Sequence, residues 1–194
     1  MLAIVSSQAE ATRGSGDAVP PGWSHNPTSP SRRGLLAVLA GAGFLVALYL
    51  TLYQWDAWGV WDPFFDSRTV LDLTHPVPDA LAGVIAYGTE LLLLALGGRD
   101  RWRSLPWVCL GLAAVLSAGA VVSIGLIIVQ PTVAGDWCTL CLVSAALSLA
   151  LFALGIGEGR AAWQHIRRAV EQGVSFGDAF WGRAASASPT VSSG

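Results

Sequence analysis

The chain has 194 residues, 53% of them hydrophobic and only 12% charged, with three cysteines and a formal net charge of −2. A soluble domain carries about twice that charged fraction, so the composition excludes an ordinary water-soluble fold and points to a membrane protein. Basic residues do not extend beyond the flanks of the apolar runs, so nucleic-acid binding is not indicated.

Residues 1–33 are rich in Ser, Pro and Gly. They cannot bury enough apolar surface to fold and are expected to form a disordered cytoplasmic tail. No basic start precedes an apolar core with a cleavage site, so this stretch does not read as a signal peptide. Four apolar runs follow: Leu35 to Gln54, Ala80 to Gly97, Leu105 to Val129 and Cys138 to Ile156. Each approaches the roughly 20 residues a helix needs to cross a bilayer. The expected fold is all-α: an integral membrane four-helix bundle over 34–157 with an interfacial amphipathic segment in its first outer loop. A basic helix over 158–181, "RAAWQHIRRAVEQG" within it, is expected on the cytoplasmic surface, held by anionic lipid headgroups. Residues 182–194 read as a second disordered tail.

All eleven basic side chains other than histidine are arginines. Ten of the eleven lie before the first run, between the second and third, or after the fourth; Arg68 alone lies in the opposite loops. The positive-inside rule then places both termini in the cytoplasm, an N-in/C-in topology. The absence of lysine fits a GC-rich genome and hence a bacterial plasma membrane.

The fourth run thus enters the membrane from outside, with Cys138 and Cys141 in its first turn. Residues three apart share a helix face, and two such thiols lie close enough for a disulfide with modest backbone adjustment. The helix N-terminus favours the thiolate of Cys138, the attacking species in disulfide exchange. Cys138 is expected near the surface, within reach of a protein thiol. Cys141 is expected about 4.5 Å deeper, where a lipid-soluble two-electron partner such as a quinone arrives. The plainer alternative is a pair of packing cysteines, a reading that suits Cys109 in "LPWVCLGLAAV" well. A zinc site lacks the four ligands it normally needs within reach in sequence.

Four further features stand out by residue type. In "WGVWDPFF", Trp58, Trp61, Phe64 and Phe65 recur at helical spacing; they make either a lid over a quinone pocket or a simple interfacial anchor. Glu90 lies at mid-span and should face the bundle, neutral or paired, with a structural hydrogen bond favoured over a proton relay. Asp79 follows Pro78 and opens the second run, as a helix N-cap, as an acid near a quinone carbonyl, or as both. His75, a lone loop histidine, reads as solvated rather than functional.

The segments "ALYLTLYQW", "PDALAGVIAYG" and "WCTLCLVSA" together resemble the vitamin K epoxide reductase family, membrane thiol–quinone oxidoreductases built as a four-helix bundle around a quinone pocket. The resemblance runs from about Leu35 to Ile156. It implies that Cys141 meets the quinone, of menaquinone, ubiquinone or phylloquinone type, and that Cys138 exchanges with a shuttle thiol. It implies pocket roles for Asp79, Gly83 and Tyr87, and a thioredoxin-like partner outside the cytoplasm. Two features depart from the family: residues 54–79 contain no cysteine pair, and no fused thioredoxin-like domain follows the fourth run. The aromatic often found a turn after the CxxC is replaced by small residues around Ser144 and Ala145. A rival reading therefore stands beside the enzyme: a non-catalytic four-span protein with a structural disulfide and a quinone- or lipid-binding role.

Overall fold

Long runs of Leu, Ala, Val and Ile, whose backbone must satisfy its own hydrogen bonds in lipid, leave the α-helix as the available structure. The computed structural model describes residues 19–55, 79–134 and 137–183, and among them every regular element is helical. In chain order these are α1 (Pro30–Gln54), α2 (Asp79–Ala95), α3 (Arg101–Ser104), α4 (Pro106–Val129), a π-helical turn (Gln130–Ala134), α5 (Thr139–Glu171) and α6 (Phe176–Phe180). Three helices among the described residues are long and apolar enough to cross a membrane: Pro30–Gln54, Thr139–Glu171 and α4 extended into the π turn, Pro106–Val133. The protein is an integral membrane protein.

The second apolar run makes a shorter helix than its neighbours, 17 residues in α2, which at 1.5 Å per residue spans about 25 Å. Gly97 follows its end at φ 79°, a left-handed conformation that a side chain would strain. The fourth run is longer than its apolar stretch, since α5 continues through Gly155, Gly157 and Gly159 to Glu171. The amphipathic segment expected in 54–79, with Trp58 and Phe64, lies outside the described residues apart from its ends.

The described residues fall into two compact units. The described part of one is 34–55, 79–96, 111–134 and 137–156, and it holds the largest apolar core. Its buried centre is Leu36, Ala40, Ala47, Tyr87, Leu94, Leu112, Leu116 and Leu151. Glycine decides how closely its helices approach. A Cβ on Gly43 of α1 would collide with the Tyr87 ring of α2, and one on Gly83 would stand 3.1 Å from Ala47 Cβ. Gly43→Ala is accordingly expected to displace the Tyr87 ring and destabilise the protein by about 1–3 kcal/mol, read as a fall in the SDS concentration that unfolds it. Unchanged unfolding would show that the ring moves freely.

The described part of the other unit is 19–33, 97–110 and 157–183. Within it the segment 19–33, expected to be part of a disordered tail, is held by side-chain contacts. Trp23 Nε1 donates to Gln164 Oε1 at 2.9 Å, Asn26 Nδ2 donates to Arg99 O at 3.0 Å, and Thr28 Oγ1 donates to the same carbonyl. Pro27 and Thr28 are fully buried. Composition reads this stretch as unable to fold because its partners lie some 70 to 140 residues away in sequence. Arg101 is buried in an ion pair with Glu158. The ring of Trp102 stands edge-on to His165 at 5.5 Å. Cys109 is fully buried with Trp102, Ala161 and Ala162, as a packing cysteine would be.

Candidate thiol site and apolar cavity

Cys138 immediately precedes α5 and Cys141 lies in its first turn. The two are joined by a disulfide, their Cα atoms 5.2 Å apart. The Cys141 backbone N–H is aimed at Cys138 Sγ at 3.2 Å. That donor is one of the four N–H groups a helix start leaves without an intrahelical acceptor, and it suits an anionic sulfur when the bond is open.

The surroundings of the two sulfurs differ. Cys138, expected near the surface, is fully buried, packed with Leu50 and Tyr53 of α1 and flanked by Ala80 and Leu140. Depth along the helix axis suggested exposure; lateral packing against α1 removes it. Cys141 is only part-buried and lines a cavity of about 320 Å³. The walls are largely alkyl, with Ala47, Leu50, Val122, Leu126 and Val129 among them. Polar side chains enter at a few points: Tyr87, Glu90, Ser123, Gln130, Ser144 and Ser148. An apolar cavity with a few placed polar groups is the usual form of a small-molecule site, and its volume is at the lower end of the roughly 300–1,000 Å³ such sites occupy.

Of the residues singled out in the sequence, Gly83, Tyr87, Glu90 and Cys141 come together on this cavity. Asp79 is the first residue of α2, and its side chain is not among those described. Trp58, Phe64 and His75 fall outside the described residues. Glu90 is 2% exposed, and its Oε2 has no hydrogen-bond partner. The structural hydrogen bond expected there is therefore not seen at that oxygen.

Three functional candidates escaped the sequence reading, in which Ser144 figured only as a small residue in place of an aromatic. Ser144 and Ser148 meet the buried Tyr87 hydroxyl, which donates to Ser144 O at 2.8 Å and lies 2.7 Å from Ser148 Oγ and 3.1 Å from Ser144 Oγ. Their signal was available as two serines four apart on an otherwise apolar helix face. Tyr87→Phe should leave the ring in place and cost about 0.5–1.5 kcal/mol, measurable by the same SDS titration; a loss beyond 3 kcal/mol would mean that the hydroxyl holds more than these serines. The third is Gln130, 1% exposed, whose Oε1 accepts the Cys138 N–H at 3.2 Å. It is the lone amide ending the apolar run of α4.

No curated protein sequence matches the chain. The model of the vitamin K epoxide reductase family, however, matches residues 34–156. That span contains the CxxC pair, α2 with Gly83 and Tyr87, and the cavity they line. The chain belongs to the vitamin K epoxide reductase family.

Proposed function

We propose that the protein is a four-span, N-in/C-in membrane oxidoreductase. It exchanges two electrons between the Cys138–Cys141 pair and a membrane quinone, in support of disulfide formation outside the cytoplasm. The observation that carries this reading is the placement of a bonded CxxC pair with one of its residues, Cys141, on the wall of an apolar cavity. The family typically uses a quinone, and the residues present fit one: alkyl walls for a fused or isoprenylated ring, and a few donors for its oxygens.

A quinone supplies a two-electron, two-proton acceptor, so two thiols become one disulfide as quinone becomes hydroquinone, and both thiol protons end on its oxygens. Cys141 presents its sulfur to the cavity, and Cys138 is the sulfur for exchange with a thioredoxin-like partner. Because Cys138 is fully buried, that exchange requires its cover to open first. Asp79 at the head of α2 is assigned to passing a thiol proton to the quinone oxygen, and Trp58 and Phe64 are assigned to a lid over the cavity.

The burial of Cys138 also favours a second reading, a structural disulfide in a non-catalytic bundle. Against it stands the shortness of the bridge. The bonded residues are three apart, and so small a loop restricts the unfolded chain by less than the roughly 3 kcal/mol of a 15-residue loop. The two separate in a stoichiometric test on the purified protein, reduced with a dithiol and freed of it in lipid nanodiscs. Addition of a naphthoquinone should form one disulfide per quinone lost, followed by quinone absorbance. No quinone consumption would remove the redox reading.

A further inference from the structure

At the end of α4 the helix widens into the π turn Gln130–Ala134, a local geometry that recurs at functional sites. Gln130 is 1% exposed, yet it is one of the residues lining the cavity, as Cys141 is. Its side chain is already half committed, because Oε1 accepts the Cys138 N–H at 3.2 Å. That bond assigns the amide: only the carbonyl oxygen can accept from a backbone N–H. The other end of the amide, Nε2, carries two donors. The hydroxyl of Tyr87 is engaged with Ser144 and Ser148. Glu90 stands seven residues beyond Gly83 on α2, about 10 Å further along the helix. Gln130 is the cavity-lining side chain that bonds the backbone of Cys138 itself.

We propose that Gln130 is a specificity-determining residue for the quinone: its Nε2 donates a hydrogen bond to a ring carbonyl oxygen beside Cys141, while its Oε1 holds the backbone of Cys138. This deepens the thiol–quinone reading and rests on it. One side chain then fixes both the position of the redox pair and the oxygen of the substrate. The amide keeps its hydrogens throughout, since the protons of the hydroquinone come from the two thiols. A hydrogen bond to an oxygen that gains charge on reduction also strengthens as the reaction proceeds, the condition for selective stabilisation.

The test uses the full chain in nanodiscs and two probes of similar shape, 2-methyl-1,4-naphthoquinone and 2-methylnaphthalene, with binding measured by calorimetric titration. Gln130→Met keeps the length of the side chain and removes both donor and acceptor. The expected result is a loss of about tenfold in naphthoquinone affinity, with hydrocarbon affinity unchanged. The hydrocarbon titration reports whether the variant's cavity is formed, so a general collapse is visible as weakening of both probes. Equal weakening of both, no weakening of either, or wild-type protein that does not prefer the quinone overturns the donor role. A quinone-selective loss in a protein that forms no disulfide with naphthoquinone keeps the contact and removes the redox reading.

Discussion

Cys141→Ala is expected to abolish quinone-coupled dithiol oxidation, lowering the rate by at least about a thousandfold, while the protein remains folded in the membrane. The two halves of that expectation come from different observations. The rate falls because Cys141 is the cysteine that lines the cavity, and no other cysteine among the described residues can replace it: Cys109 is fully buried in the other unit, and Cys138 is fully buried beside Leu50 and Tyr53. The fold persists because a bridge between residues three apart contributes little to stability. Alanine also retains most of the small apolar volume of a thiol. Dithiol-to-quinone turnover and SDS unfolding measured on the same preparation check both halves. Loss of folding together with activity would favour the structural disulfide.

The largest effect on stability is expected at the buried ion pair. Arg101 and Glu158 are 0% and 2% exposed, so each is a desolvated charge that the other compensates. Arg101→Leu should therefore cost about 3–5 kcal/mol, because it strands the Glu158 carboxylate, and Glu158→Leu should cost a similar amount. The double variant Arg101→Leu/Glu158→Leu is expected to recover most of that loss, since two apolar side chains can stand where two desolvated charges stood. SDS titration of the four proteins completes the cycle. Additive losses in the double variant would show that the two residues are not energetically coupled.

How much of this was legible in the sequence varies from residue to residue. The apolar runs beginning at Leu35, Leu105 and Cys138 declared their helices, because composition and length act locally. The bonded Cys138–Cys141 pair was equally legible, since residues three apart on a helix must share a face. The family was legible as well, from segments that fall inside the matched span. What stayed hidden depends on partners distant in the chain. Arg101 reads as one more flanking positive charge until Glu158 is seen against it. Trp23 and Thr28 read as tail residues until Gln164 and Arg99 accept from them. α5 runs past Ile156 without a break to Glu171, into the stretch 158–181 expected as a separate basic helix, because Ala, Arg, Gln and Glu continue to favour the helix after apolarity ceases. The burial of Cys138 follows from packing beside it, which position along a helix does not encode.

A redox-active pair is tested most directly by the state of Cys138 and Cys141 in native membranes, read by differential thiol alkylation and peptide mass spectrometry. The membranes are treated with a mild dithiol and then with a quinone. Opening of the disulfide by the dithiol and its return on addition of quinone are the expected result. A pair that stays reduced after quinone, or stays bonded under every condition, would contradict the thiol–quinone function.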